Sequence, residues 1–416
     1  MAVEDTMDPA GVLGKYLDQA SPDLLRAMVA QFVTQLMGAE VDALCGAGYG
    51  ERSDTRVNSR NGYRQRDWDT RAGTIELAIP KLRSGSYFPE WLLDRRRRAE
   101  QALISVVAVS YVLGVSTRRV ENLVQALGIE QISKSQVSRM AKVLDAEVEA
   151  FRTRPLDAGP YAYAWMDALT MKVREGGRVV NASVLIATGV NAEGTREILG
   201  LDLVTSEDGA GWLAFCRSLV ARGLTGVMLV ISDAHEGLVD AIAASLPGAG
   251  WQRCRTHFAN NLRAKTPKHA WPMVAGMLRS VFEQPDAPSV HRQYRELCNA
   301  LEGKFPEALA LLEAAETDVL AFTAFPIEHW SKIRSNNPQE RQNKEIRRRT
   351  DVVGIFPDRP SVIRLVGAVL AEQNDEWACA RRYMSAESLA KARMRVIDGG
   401  DPLAIDEPAT STKKVG

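Results

Sequence analysis

Apolar residues recur three and four positions apart from Leu24 to Cys45, behind a Ser-Pro start, and this spacing predicts a helix over 21–45. The period is then lost. "TIELAIPKL" (74–82) alternates as a strand does, and the rest of 51–98 is rich in Gly, Asn and Arg. Helical spacing returns between 100 and 150. There "LGVSTRRVENLVQALG" and "SKSQVSRMAKVLDAEV" predict two helices, the second opening at a Ser N-cap. The pair fits a helix-turn-helix, with Lys134, Gln136 and Arg139 facing DNA, or a plain helical hairpin; the pattern alone favours neither.

"TRPLDAGP" (153–160) reads as a linker, and the pattern changes after it. Tyr161 to Met166 is an apolar run that ends at Asp167. Arg178–Thr188 and Glu197–Val204 predict two more strands about a Gly-Val-Asn-Ala-Glu-Gly turn. An amphipathic helix over 209–222 precedes "GVMLVISD" (226–233), a buried strand that also ends in aspartate. A helix, the short strand "GWQRC" and about seventy helical residues follow. The order predicts a mixed α/β domain interrupted by a helical insertion. The Pro-, Thr- and Lys-rich tail from Gly399 predicts disorder.

Composition adds little to this picture, because 416 residues with 45% hydrophobic and 25% charged positions describe an ordinary globular protein of two or three domains. The 52 bases balance the 52 acids, so net charge points to no partner. Their distribution does. Residues 51–98 hold twelve Arg and Lys against seven acids, and such basic segments suit a polyanion. Five scattered cysteines argue against a disulfide framework and for a reducing cytosol. The acidic N-terminus lacks signal-peptide order, and the apolar stretch from Leu103 to Ser116 is too short to span a bilayer, so a cytoplasmic protein with no membrane partner is expected.

Asp167 and Asp233, each placed at the end of an apolar strand, would face a cleft from a rigid element. Two such carboxylates and a later Glu on a helix are the oxygen ligands that hard divalent cations take. Two Mg2+ or Mn2+ ions would then support phosphoryl transfer. The later Glu has two candidates in "SNNPQERQNKEIRRRTDVVGIFP" (335–357), where Glu340 and Glu345 sit among seven bases between Lys332 and Arg349. On one helix they lie about 140° apart, so only one can enter a given site. Two turns after Glu340 comes Arg347, and two turns after Glu345 comes Val352. Glu340 is therefore the better ligand, and Glu345 is expected to pair with Arg341 or Arg349. Arg341, Lys344 and Arg347 would face phosphates. Cys254-x-x-His257 resembles half of a zinc site, yet no second such pair is near in sequence, and a motif beside the active site is favoured. There His257 would contact DNA or support a metal ligand.

Together, "DALTMKVREGGRVVNASVLIATGVNAEGTREILG", "SDAHEGL", "WQRCRTHFANNL" and "SNNPQERQNKEIRRRTDVVGIFP" resemble the bacterial Mutator-type insertion-sequence transposases, and the likeness runs from about residue 21 to 390. The resemblance implies an α/β, ribonuclease-H-like catalytic domain interrupted by an all-helical insertion, with a mainly helical N-terminal DNA-binding region. It implies a DDE triad of Asp167, Asp233 and Glu340, and it places Cys254 and His257 in the family's Cys/Asp-x-x-His motif. The expected divisions are an end-binding region at 1–99, a helix-turn-helix at 100–152, a core at 160–256, an insertion at 257–329, the Glu-bearing part at 330–398 and a tail at 399–416. The implied activity is cleavage at terminal inverted repeats and transfer of the freed 3′-OH to target DNA. A homodimer or higher oligomer would act in a synaptic complex at the nucleoid. Another ribonuclease-H-like nuclease and a non-catalytic DNA-binding regulator are the alternatives. The first fits less well with a separate basic module, and the second would need no strand-end carboxylates.

Overall fold

The computed structural model describes residues 22–70, 73–85, 87, 89, 97–112 and 134–397. They fall into two compact units, Met1–Arg97 with Asp375–Arg381, and Arg98–Asn374 with Arg382–Gly416.

In the first unit, helix α1 (Pro22–Cys45) is followed by an antiparallel hairpin of β1 (Arg60–Thr70) and β2 (Gly73–Leu82). Val33, Met37, Val41 and Cys45 recur every fourth residue of α1, and Ile75, Leu77 and Ile79 alternate along β2, so one stripe and one face close on each other. The sequence pattern showed β2 but not β1, because "RNGYRQRDWDT" has no apolar alternation of its own. Part of the positive charge counted over 51–98 is structural. Arg56 donates to the carbonyls of Gly48, Glu51 and Asn58; Arg60 pairs with Asp42 at 2.6 Å; Arg64 is buried.

The second unit begins with α2 (Arg97–Val112) and α3 (Lys134–Thr153), which meet at Val107, Ala108 and Val137. The first helix expected for a helix-turn-helix lies within 113–133, outside the described residues. Next come β3 (Tyr163–Glu175), β4 (Arg178–Val190), β5 (Arg196–Val204), α4 (Gly209–Ala221), β6 (Leu229–Ser232), α5 (Glu236–Ser245) and β7 (Gly250–Arg253). The strands stand in the order β5-β4-β3-β6-β7; β3, β4 and β5 are antiparallel, whereas β6 and β7 run parallel to β3. A two-strand-residue element, β8 (Ile355–Phe356), pairs with the far part of β3.

Both faces of this mixed sheet are covered. Ala164, Met166, Leu185 and Val230 meet Trp212, Phe215 and Leu238 of α4 and α5 on one side. Tyr163, Trp165 and Ile231 meet helices on the other: α6 (Arg255–Ala264), α7 (Trp271–Val281), α8 (Ala287–Leu301), α9 (Pro306–Leu320) and α10 (Ile327–Ile333). The expected helical stretch is thus present, broken by a 3-10 turn at Ala321–Ala324. After α10 the chain returns through α11 (Asn337–Val353), α12 (Arg359–Cys379) and α13 (Ala386–Ile397). Arg364 of α12 holds Asp145 of α3 in a two-pronged ion pair at 2.7 and 2.8 Å. Among the described residues, no helix is long and apolar enough to cross a membrane.

Candidate active site

Asp167 is not at a strand end as the apolar run suggested. It is inside β3, opposite Ile186 of β4, because "ALTMKVRE" continues the strand with alternating polar positions. What ends near it is the parallel ladder with β6. That ladder runs Tyr163↔Leu229, Ala164↔Val230 and Trp165↔Ile231, and two further steps would pair Asp167 with Asp233. Asp233 follows directly on Ser232, the last residue of β6, so its position after a buried strand is as expected. The alternation that sends Tyr163 and Trp165 into the helical layer also directs Asp167 to that face.

The two carboxylates act on each other and on His257 of α6. Burial raises the Asp167 carboxyl to a pKa of about 6; His257, the Ala168 amide and Asn343 pull it down, and Asp233 pushes it up again. His257 rises to about 9, first through the Cys254 sulfur beside it, against burial, and then through Asp167 and Asp233. Its Nδ1 is buried without a hydrogen-bond partner. Cys254 has a different task. It is buried, its amide donates to Ser232 O at 2.7 Å, and its Sγ accepts from the Asn336 amide at 3.2 Å. The Cys-x-x-His motif therefore joins the end of β6 to the start of α11, with His257 within electrostatic reach of the carboxylates.

Helix α11 is held over the sheet by its amide side chains. Asn336 Nδ2 donates to Met166 O at 3.2 Å, Thr188 Oγ1 donates to Gln339 Oε1 at 2.8 Å, and Asn343 Nδ2 donates to Asp167 Oδ2 at 2.6 Å. Residues 336, 339 and 343 share one face, and Glu340 lies about 40° from Asn336 on the same side. Its Oε1 is buried with no hydrogen-bond partner. Glu345 lies about 180° from Asn336 and pairs with Arg349 at 3.2 Å, one of the two partners expected for it. Arg341, Lys344 and Arg347 are exposed along α11. Arg139 is exposed on α3, while the side chains of Lys134 and Gln136 lie outside the described residues.

Two partnerships in the neighbourhood leave no mark on the sequence. Asn343 of α11 is tied to a carboxylate on β3, 176 residues earlier. Glu207, before α4, accepts from Trp212 Nε1 at 3.3 Å; burial raises its pKa, His235 lowers it and Asp233 raises it further. No motif flags that residue, since its nearness to Asp233 is tertiary.

The donor set suits a hard divalent cation in its chemistry: two aspartates just beyond the end of a parallel ladder and within electrostatic reach of each other, and a Glu oxygen kept from water without a partner, a state that is costly unless a positive charge offsets it. Among the described residues, no three His, Cys, Asp or Glu side chains are gathered closely enough to hold a metal ion.

The chain matches the profile described as "Transposase, Mutator family" over residues 5–380. It is 64% identical over 402 residues to the transposase for insertion sequence element IS1081 of Mycobacterium tuberculosis, covering 97% of each protein. It is 37% identical over 370 residues to the transposase for ISRM5 of Rhizobium meliloti, covering 89% of this chain and 92% of that protein. To the transposase for IS256 in transposon Tn4001 of Staphylococcus aureus it is 36% identical over 366 residues, with 87% and 93% covered.

Proposed function

The chain belongs to the Mutator family of insertion-sequence transposases, and from that premise we propose that its second unit is a ribonuclease-H-like core that cuts DNA at terminal inverted repeats and joins the freed ends to a target. The observation that supports this reading is the parallel pairing of β3 with β6, which ends two residues short of both Asp167 and Asp233 and leaves the two carboxylates within electrostatic reach of each other. The mixed sheet and the helical stretch between Asp233 and Glu340 agree with it.

Asp167 and Asp233 would hold a divalent cation, and Glu340 of α11 would be the third carboxylate to join them. A bound cation supplies activation of the attacking oxygen and stabilisation of the leaving oxygen. The protein's own groups position the rest. Asn343 and the Ala168 amide fix both Asp167 oxygens, with donors at 2.6 and 3.0 Å. His257, protonated at neutral pH, keeps positive charge beside two carboxylates. Arg341, Lys344 and Arg347 track the phosphates along α11, and Arg139 with Lys134 and Gln136 contributes to end recognition. Hydrolysis breaks a P–O3′ bond and leaves a 3′-OH and a 5′-phosphate. In the second step that 3′ oxygen attacks a target phosphorus and displaces a target 3′ oxygen. Neither step needs a covalent protein intermediate.

The test is a cleavage and strand-transfer assay on the ends of the element, with and without Mg2+ or Mn2+. Asp167→Ala and Asp233→Ala should each abolish cutting while end binding persists. Full cleavage by either variant would remove that residue from the site, and cleavage in chelator would remove the cation.

A further inference from the structure

The turn between β4 and β5 anchors a residue from the far end of the chain. Asn191 Oδ1 accepts from the amides of Glu193 and Thr195 at 3.1 and 2.9 Å, and Gly194 closes the turn at φ +84°. The Gly194 carbonyl accepts from the amides of Tyr383 and Met384 at 2.8 and 3.1 Å. A Cβ on Gly194 would lie 1.9 Å from Met384 O, so glycine is what allows this approach. The docked Tyr383 ring meets Trp165 edge-on, with centroids 6.0 Å apart. Trp165 precedes Asp167 by two residues on the same face of β3, about 6–7 Å along the strand.

Cations converge on that ring. The Arg196 Cζ is 4.5 Å from the Tyr383 centroid and the Lys332 Nζ is 5.4 Å from it. Arg341, exposed on α11 beside Glu340, bears on both Arg196 and Tyr383: burial lowers the Arg196 pKa, Tyr383 raises it and Arg341 lowers it again. Burial raises Tyr383, and Arg196 and Arg341 lower it. A single cation against an aromatic ring is ordinary packing. Here two, from β5 and α10, meet one ring, a third on α11 is within electrostatic reach of it, and an anion beside them would be attracted to all three. Two guanidinium forks, an ammonium and a phenol hydroxyl are donors matched to the oxygens of a phosphodiester.

We propose that Arg196, Lys332, Arg341 and Tyr383 form a phosphate site that holds the DNA backbone a few nucleotides from the bond cut at Asp167 and Asp233. The site rests on the reading of those carboxylates as the cutting centre, because its distance from them defines which phosphates it reaches. It grips the strand by charge, without reading bases. Arg341 then serves the clamp rather than an independent contact further along α11, and Arg196, sixty residues before the helical stretch, becomes part of the DNA path.

The experiment uses the full-length protein and duplexes carrying the element's ends, each with one uncharged methylphosphonate in place of a phosphate near the cut. Binding and single-turnover cleavage are measured for wild type, Lys332→Ala and Arg196→Ala, with Arg196→Lys and Lys332→Gln as milder variants should the alanines unfold on heating earlier than wild type. In wild type, one or two positions should weaken binding about tenfold when neutralised. In Lys332→Ala those same positions should matter less than twofold, because the contact is already lost. The slope of log K against log salt should also fall by about 0.7–0.9 per contact removed, a change that a purely structural role would not cause. A flat wild-type profile near the cut, or an unchanged profile in the folded variants, overturns the site. If wild type binds the ends but cuts nothing, the reading of the carboxylates fails, and the binding profile still decides the phosphate site.

Discussion

Asn343 Nδ2 lies 2.6 Å from Asp167 Oδ2 and joins the helix that carries Glu340 to the central strand of the sheet, across 176 residues of chain. Both partners are largely shielded from water, and Asn343 Oδ1 is buried without a partner of its own. The amide is therefore committed to one orientation, with its donor directed at the carboxylate. Any movement of α11 toward the aspartates has to carry this contact along or break it.

Asn343→Ala should lower cleavage about tenfold with little change in end binding, since the lost donor is worth on the order of 1.5–3 kcal/mol to a charged acceptor. Asn343→Asp should be worse than alanine at low divalent-cation concentration, because it sets a second carboxylate against Asp167. Raising Mg2+ should restore part of the aspartate variant's activity and none of the alanine variant's. Equal behaviour of the two in a Mg2+ titration would show that the contact only braces the fold.

The glutamates of α11 separate cleanly. Glu340→Gln should reduce single-turnover cleavage by orders of magnitude, as the loss of a cation ligand does. Glu345→Gln keeps an oxygen for Arg349 and removes a charge from a pair in which Arg349 is 5% exposed and Glu345 is 32% exposed. It should cost about 1 kcal/mol of stability and little activity. Arg347→Ala should fall between them, weakening DNA engagement at unchanged Mg2+ dependence. A dead Glu345→Gln beside an active Glu340→Gln would move the third ligand to Glu345.

Elements whose signal is local were legible in the sequence. The fourfold repeat Val33, Met37, Val41, Cys45 and the alternation Ile75, Leu77, Ile79 are both present where the pattern placed them. β6 ends at Ser232 with Asp233 next, as the run "GVMLVISD" implied. Helical geometry also separated Glu340 from Glu345. What escaped was tertiary. β1 is held by its partner strand rather than by its own pattern, and β3 continues past Asp167 because β4 lies alongside all thirteen of its residues. The Sγ contact of Cys254 with Asn336 spans 82 residues and leaves no mark on spacing. The same is true of Arg64, counted among surface charges and found buried.

Stability of the metal-free protein should depend on pH through Asp167. Its carboxyl moves from 3.8 to about 6, chiefly by burial. A carboxyl raised in the folded chain binds its proton more tightly there than when unfolded, so folding takes up protons between these values. Stability therefore falls as pH rises through that window, by on the order of 1–2 kcal/mol after allowance for solvent at a partly exposed group. Thermal unfolding in chelator at pH 4.5 and 7 should show the drop, and Asp167→Asn should lack it. Saturating Mg2+ at pH 7 should restore wild type and leave Asp167→Asn little changed. A wild-type midpoint that rises over this interval would contradict the assigned direction.

Two glycines should fail differently when a methyl is added. A Cβ on Gly367 of α12 would fall 2.3 Å from Val148 Cγ1 of α3, a side-chain atom. Gly367→Ala should destabilise by about 1–3 kcal/mol through overpacking, and Val148→Ala, which removes that atom, should return part of the loss in the double variant. Gly194 meets backbone instead: its Cβ would stand 1.9 Å from Met384 O, at a φ of +84° that already costs a residue with a side chain about 1–2 kcal/mol. No side-chain truncation can relieve that contact, so Gly194→Ala should destabilise more and resist rescue by Met384→Ala. It should also displace Tyr383 from Trp165, because both amide donors at 383 and 384 depend on the Gly194 carbonyl. Trp165 fluorescence in the folded variant, compared with wild type and Gly367→Ala, checks this. A spectrum changed in Gly194→Ala but not in Gly367→Ala is the expected result, and rescue of Gly194→Ala by the methionine truncation would show that the clash is with the side chain after all.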